Sequence, residues 1–138
     1  MEKSRPFTLR LSGNVERWLE RESRRSSLSK GALLESLAEE SIRTRRFPGI
    51  GFRGAEGDRR AWLIGTGFEV WEVIQLHEEM GREAVLSGER LSQRQFDLAL
   101  AYYAEYPEEI DEAVAENREP PQSWMERYPG LGISVSEY

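Results

Sequence analysis

A single short strand pattern, with no second strand beside it, most constrains what this chain can fold into. Residues 5–11 alternate between two faces, which are Phe7, Leu9 and Leu11 on one side and Pro6, Thr8 and Arg10 on the other. An isolated strand leaves its backbone N–H and C=O groups without partners and its apolar face uncovered. The pattern therefore predicts a strand that pairs with something outside its own sequence neighbourhood.

Two helical patterns follow the strand and give it no partner. Ser12 can cap a helix that runs to about Arg25, and Ser29 can cap a second helix that runs to about Arg45. The second helix has an apolar stripe too broad for one partner, which consists of Ala32, Leu33, Leu34, Leu37, Ala38 and Ile42. A unit of about 45 residues is also close to the lower size limit for independent folding. We therefore expect a two-fold dimer in which two copies of the strand pair antiparallel into a ribbon.

Charge divides the chain into a basic beginning and an acidic remainder. Residues 1–46 carry eleven Lys and Arg against seven acidic residues, whereas residues 47–138 carry eight Arg against eighteen acidic residues. The net charges of the two parts are about +4 and about −10, within a total of −6. A basic segment on an acidic chain is typical of a protein that uses this segment to bind an anionic partner.

The predicted ribbon supplies a surface that fits duplex DNA. A two-stranded ribbon enters the major groove, where arginine can bind guanine O6 and N7. The start of the second helix can bind a phosphate through its backbone N–H groups. The predicted DNA-binding residues are Arg5, Thr8, Arg10, Ser29 and Lys30. Two alternatives stay open: the segment only dimerises, or the arginines at the helix ends only complement the helix dipoles.

Residues 5–46 resemble the CopG/Arc/MetJ ribbon-helix-helix family. The features that carry the resemblance are the alternating strand, the short first helix, the serine-rich turn and the alanine–leucine second helix. The family usually has Gly in the turn between the helices, and this chain has Ser27 near that position. The resemblance implies a dimeric domain that binds double-stranded operator DNA.

The acidic remainder predicts a small hairpin followed by short helices. The strands are expected at residues 52–54 and 60–64, with a glycine-containing turn between them. Helices are expected at residues 69–80, at 82–86, from Ser92 to about 106, and at 107–117. The inward side chains of the third of these helices are expected to be Phe96, Ala99, Leu100 and Tyr103.

This order of elements is compatible with a winged helix-turn-helix domain, and the predicted fold class is mainly α. The expected parts are a dimeric ribbon-helix-helix domain, a linker, a helix-turn-helix-like α+β domain and an irregular tail. They cover residues 1–46, 47–54, 55–119 and 120–138, in that order. Pro120 and Pro121 prevent the last helix from continuing into the tail.

Residues 50–118 also resemble a small helix-turn-helix family of unknown function that is met in bacterial VapB-type antitoxins. The motifs that carry this resemblance are Gly65-Thr66, Val70-Trp71, Ala99-Leu100 followed by Tyr102-Tyr103, and Glu109-Ile110-Asp111. The charge of about −10 on this part of the chain argues against a second DNA surface. The resemblance therefore implies a dimerising or toxin-facing module.

The tail contains more large apolar residues than a fully solvated segment. Aromatic residues and Met are common anchors in protein interfaces, and a short β-branched segment can add to the sheet edge of a partner. The predicted partner-binding residues are Trp124, Met125, Arg127, Tyr128, Ile133 and Val135. In VapB-type antitoxins the C-terminal segment blocks the active site of the toxin. The resemblance therefore implies a PIN-like ribonuclease partner; the alternative is a tail that folds back on its own body.

No pattern in the sequence selects a catalytic, metal or cofactor site. The chain has no Cys and one histidine, His77, so neither a transition-metal site nor a nucleophile–histidine pair is expected. Residues 49–54 match the dinucleotide-binding glycine pattern, but they follow a predicted helix rather than a strand. No apolar run reaches the roughly 18 residues of a membrane helix, and no signal-peptide pattern begins the chain. We expect a cytoplasmic protein that is not an enzyme and needs no cofactor.

The sequence as a whole predicts an antitoxin of a bacterial type II toxin–antitoxin pair. Its basic domain would form a homodimer on operator DNA, and its acidic domain and tail would bind a PIN-like toxin. The alternative is a stand-alone ribbon-helix-helix transcriptional repressor that has no toxin partner.

Overall fold

The computed structural model describes residues 5–118, and the chain divides into two compact units, Met1–Arg60 and Ala61–Tyr138. The first unit contains α1 (Gly13–Ser26), α2 (Lys30–Arg46) and β1 (Ile50–Arg53). The remaining elements are β2 (Arg60–Leu63), α3 (Val70–Met80), α4 (Arg82–Ser87), α5 (Gln93–Glu105) and α6 (Pro107–Asn117). The described chain is mainly helical, which confirms the predicted mainly α class. None of its helices is long and apolar enough to span a membrane.

Both helices of the first unit begin at the serines that the sequence predicts as caps. The Ser12 side chain accepts the Val15 N–H at 3.4 Å, and the Ser29 side chain accepts the Ala32 N–H at 3.1 Å. Each cap satisfies one of the backbone donors that the first turn of a helix leaves free. The two helices contact each other, and α2 also contacts β1.

The first unit buries fewer of its large apolar side chains than it leaves exposed. Among its described residues the buried apolar side chains are Leu19, Leu33 and Ile50. Six other large apolar side chains stay substantially exposed, namely Phe7, Leu9, Val15, Trp18, Leu37 and Ile42. The apolar stripe predicted for α2 is therefore only partly covered within one chain, and α1 leaves Val15 and Trp18 exposed as well.

Residues 5–12 form neither a helix nor a strand in the single chain. Phe7 is 80% exposed and Leu9 is 54% exposed. Within residues 5–118, no backbone hydrogen bond involves residues 5–11. The predicted ribbon requires a second copy of this segment, so it stays a prediction.

A two-stranded antiparallel sheet follows the first two helices, and it consists of β1 and β2. The sequence predicts both strands, although β1 begins two residues earlier than expected. Gly54 opens the turn with φ +114°, and a Cβ there would lie 2.6 Å from the Asp58 carbonyl oxygen. The glycine pattern at residues 49–54 thus extends from the turn before β1, through the strand, to the turn after it, and the next element is β2 rather than a helix.

The second unit is built from α3 to α6. Its local signals act as predicted: Gly81 ends α3, Ser92 caps α5 in a capping box with Gln95, and Pro107 begins α6. Helix α3 contacts the other three helices, and α5 contacts α6. The buried side chains of these helices are Val70, Val73, Ile74, Val85, Phe96, Ala99, Tyr102, Ile110 and Val114.

Two of the four side chains predicted to point inward from α5 are not buried. Leu100 and Tyr103 are only half-buried, whereas Tyr102, which the sequence pattern does not place inward, is completely buried. The Tyr102 ring packs at 4.8 Å from the Tyr106 ring, and its hydroxyl donates to Glu109 Oε2 at 2.7 Å. A buried tyrosine requires such a partner for its hydroxyl, and α6 supplies the partner.

Candidate nucleic-acid interface

Three of the predicted DNA-binding residues lie on the segment that precedes α1. Arg5, Thr8 and Arg10 are all exposed. Within the described residues neither arginine forms a salt bridge or a hydrogen bond to another side chain. Both guanidinium groups therefore keep their donors available for an external acceptor.

The other two predicted residues lie at the start of α2. Ser29 caps α2, and its side-chain oxygen already accepts a hydrogen bond from the Ala32 N–H. The N–H groups of Lys30 and Gly31 precede the first intrahelical bond, and no acceptor within residues 5–118 binds them. A Cβ at Gly31 would meet no atom within 4 Å, so the backbone is open to close approach. This helix start therefore offers the oriented donors that the sequence predicts for a phosphate.

The Lys30 side chain has a second role that the sequence does not reveal. Its Nζ donates to Glu16 Oε1 at 2.7 Å and to Glu20 Oε1 at 3.2 Å. The hydrogen bonds to Glu16 and Glu20 raise the pKa of Lys30 above its ordinary value of 10.5. Lys30 thereby joins α2 to α1, and two carboxylates balance its charge. The backbone N–H groups of Lys30 and Gly31 are therefore more available to a phosphate than the Lys30 ammonium group, which already binds two carboxylates.

The turn between α1 and α2 is held by serine side chains. Ser27 has φ 63° and ψ 16°, which is the left-handed conformation that glycine adopts most easily. Ser23 Oγ donates to the Leu28 carbonyl at 2.6 Å, and Ser26 Oγ accepts the Leu28 N–H at 3.2 Å. The sequence predicts a break in the helix here, and the structure shows which hydroxyls stabilise it.

Helix α1 presents a basic surface that the sequence reasoning leaves aside. Arg17, Arg21, Arg24 and Arg25 are exposed and line one shallow depression together with Glu20. The ion pairs of Arg24 with Glu20 and of Arg25 with Glu22 are long, at 3.9 and 3.7 Å. Such exposed pairs contribute little. The signal in the sequence is the spacing of four and then three residues between Arg17, Arg21 and Arg24, which places them on one helical face.

A half-buried guanidinium holds the hairpin turn to α2. Arg59 Nη2 donates to Glu40 Oε1 at 2.8 Å and to the Phe52 carbonyl at 2.9 Å, and Nη1 donates to the Gly54 carbonyl at 3.0 Å. The hydrogen bond to Glu40 raises the pKa of Arg59 above its ordinary value. Arg59 therefore has a structural role within the first unit.

Two carboxylates of the second unit accept hydrogen bonds from tyrosines, namely Glu109 from Tyr102 and Asp111 from Tyr103. Tyr103 donates to Asp111 Oδ1 at 2.6 Å, and this hydrogen bond raises the pKa of Tyr103 above its ordinary value of 10.0.

His77 packs edge-on against the Phe96 ring with centroids 5.2 Å apart. Among residues 5–118, no group of three or more His, Cys, Asp or Glu residues is placed to hold a metal ion.

The predicted partner-binding residues lie outside the described residues. They are Trp124, Met125, Arg127, Tyr128, Ile133 and Val135. No protein family, no curated protein and no solved structure matches this chain.

Proposed function

We propose that the chain is an antitoxin of a type II toxin–antitoxin pair that represses its own operon by binding operator DNA. The observation that carries this proposal is the state of residues 5–11. They have exposed apolar side chains and no backbone hydrogen bonds within the described chain. Such a segment is complete only when another strand pairs with it.

A second copy of the same segment is the partner that the sequence pattern favours. Antiparallel pairing of two copies satisfies the backbone of both strands and turns Phe7 and Leu9 toward one side. Trp18, Leu37 and Ile42 of the helices are exposed and can cover that side in a dimer. The unit gains a core that three buried side chains do not supply by themselves.

The opposite face of this ribbon carries Thr8 and Arg10, doubled by the two-fold symmetry. Arginine on a ribbon in the major groove binds guanine through two hydrogen bonds, which gives sequence preference. The N–H groups at the start of α2 bind phosphate and fix the position of the ribbon. The basic surface of α1 adds attraction to the duplex that depends on salt.

The acidic remainder and the tail support a protein partner rather than a second DNA surface. The net charge of about −10 repels phosphates. The tail carries interface-type residues, including Trp124, Tyr128 and Arg127. The resemblance to VapB-type antitoxins makes a PIN-like ribonuclease the proposed partner, with Arg127 beside its acidic site.

The DNA part of the proposal is tested with Arg10→Ala on the promoter DNA of the chain's own operon. We expect a loss of about 1–3 kcal/mol, roughly 5- to 150-fold in affinity, with relaxed sequence preference. Binding is measured by fluorescence anisotropy at two salt concentrations. Arg94→Ala, which removes an exposed arginine of the acidic unit, is the control and should bind like the parent. Equal binding by both variants would show that the ribbon does not read the DNA.

The partner part is tested by co-expression with the neighbouring small reading frame. We expect a stable complex that suppresses the toxicity of the neighbouring product. The full-length double variant Trp124→Ala with Tyr128→Ala should lose this protection while it keeps its operator affinity. A chain that binds its operator but has no toxic neighbour supports the stand-alone repressor instead.

A further inference from the structure

The second unit contains an open apolar groove of about 400 Å³. Helices α3 and α4 and the loops before α3 and before α5 line it, mainly with Phe68, Trp71, Leu76, Met80, Val85 and Leu91. Met80 is 54% exposed although it is a large apolar side chain. The volume lies within the range of roughly 300–1,000 Å³ that is usual for ligand sites. The groove is therefore large enough to hold one or two large side chains.

The described chain leaves α6 at the edge of this groove. Asn117 itself lines the groove, and its Nδ2 donates to Gln75 Oε1, another lining residue, at 3.2 Å. The next residue, Arg118, forms an ion pair with Glu78 of α3 at 3.1 Å. These contacts fix the point from which residues 119–138 continue.

The chemistry of residues 119–138 matches the groove. Pro120 and Pro121 favour an extended backbone directly after α6. At about 3.3 Å per residue, an extended backbone carries Trp124 up to roughly 20 Å from Arg118. This length is sufficient for Trp124 to enter the groove, because Asn117 already lines it. Met125, Tyr128 and Leu131 follow in the same stretch.

Charge does not select the occupant, because the groove and the tail each carry both signs. Glu72, Glu79 and Arg90 line the groove, and the tail carries Arg127 together with Glu119, Glu126 and Glu137. The apolar residues of the tail and its attachment beside Asn117 carry the argument instead. We propose that residues 119–138 dock into this groove of their own chain, with Trp124 or Tyr128 as the apolar anchor. A tethered segment of this length has an effective concentration in the millimolar range, so weak contacts suffice.

Docking of the tail has a consequence for any protein that binds the tail. That partner must displace the tail from the groove. The apparent association constant of the partner is therefore the intrinsic constant multiplied by the fraction of molecules whose tail is free. The docking itself requires neither DNA nor a toxin. A failure of the docking experiment is therefore distinct from a failure of the proposed function.

Disulfide trapping in the full chain tests the docking, and the absence of native cysteine makes it specific. Met80→Cys is combined in turn with Trp124→Cys, Tyr128→Cys or Leu131→Cys. The control replaces Ile64, which is 51% exposed in the same unit and does not line the groove. Oxidised glutathione is added, and products are identified by mass. We expect at least one Met80→Cys pair to form an intrachain disulfide about ten times faster than the matching Ile64→Cys pair.

Equal rates for the two positions would overturn the proposal, and so would disulfides formed mainly between two chains. A second measurement uses the chain without added cysteines. Trypsin cleavage after Arg127 should become several-fold faster in Met80→Glu and stay unchanged in Ile64→Glu. Unchanged cleavage in both variants would contradict the docking.

Discussion

Besides Glu89, Ser27 is the only non-glycine residue within residues 5–118 that has a positive φ, a conformation that fits its side chain poorly. Its φ of 63° lies in the left-handed region, where a Cβ crowds the following carbonyl. Within residues 5–118 its hydroxyl forms no hydrogen bond, so the side chain offers no compensation. The neighbouring bonds of Ser23 and Ser26 to Leu28 hold the turn in place despite this cost.

Replacement of Ser27 by glycine should stabilise the first unit. We expect Ser27→Gly to raise the free energy of unfolding by about 0.5–1 kcal/mol, because glycine removes the left-handed strain at some cost in chain entropy. Denaturant unfolding followed by circular dichroism measures the change. Ser41→Gly makes the same change inside α2 and should lower stability by a few tenths of a kcal/mol. If Ser27→Gly lowers stability as Ser41→Gly does, the turn is not left-handed.

In the first unit, Arg59 links the helix α2 to the strand β1 and to the turn that follows this strand. Arg59 reaches the α2 carboxylate of Glu40 and two carbonyl groups, those of Phe52 and Gly54. Its side chain is 29% exposed and that of Glu40 is 18% exposed, so water screens the pair only in part. Arg59 thus adds polar bonds to the direct contact between α2 and β1, and it joins the turn after β1 to α2.

Loss of this side chain should free the hairpin turn. We expect Arg59→Ala to lower the free energy of unfolding by about 2 kcal/mol, because a half-buried carboxylate and two carbonyls lose a donor. Amide hydrogen exchange should increase in residues 50–60. Arg21→Ala removes an exposed arginine without a partner in the described chain and should stay within about 0.5 kcal/mol of the parent. A local effect as small as that of Arg21→Ala would mean that Arg59 does not hold the turn.

The boundaries of the elements could be predicted because their signals are local. Ser12, Ser29 and Ser92 cap helices with their own side chains, and Gly81 and Pro107 act on the backbone where they stand. Such signals need no knowledge of the tertiary structure. The same holds for the hairpin, whose turn is set by the residues between its strands.

Contacts between distant residues could not be predicted in this way. The α5 pattern does not tell Tyr102 from Tyr103, because the choice depends on Glu109 and Asp111 of α6. Likewise Lys30 looks like a free phosphate ligand in the sequence, and only the packing of α1 on α2 brings Glu16 to it. The residues before α1 are exposed, as DNA binding would require, but their role in DNA binding and the pairing of two copies both stay predictions.

The molecule as a whole combines a well-covered acidic unit with a basic unit that has little core. The four helices of the second unit bury nine apolar or aromatic side chains, whereas α1 and α2 bury one each and the first unit exposes six large apolar side chains. Association of two first units would cover such surface, and stability gained in this way depends on protein concentration. The thermal midpoint of the natural chain should therefore rise with concentration.

A charge in the predicted ribbon should remove this dependence. We expect Leu9→Glu to weaken dimerisation at least about a hundred-fold, because two apolar side chains, each worth about 1.5–3 kcal/mol when buried, are lost per dimer. Sedimentation equilibrium measures the association. Ile64→Glu changes an equally exposed residue of the second unit and should leave the dimer intact. A Leu9→Glu chain that associates like the parent would rule out the ribbon.

The open backbone of residues 5–11 also bears on how long a chain survives in a cell. Proteases bind their substrates as extended segments, and they cut first in exposed segments whose backbone has no hydrogen bonds. Pairing with a second copy would hide this segment, so scarce chains would be degraded while abundant chains persist. The cellular half-life of the protein would then increase with its own abundance, without any additional regulator.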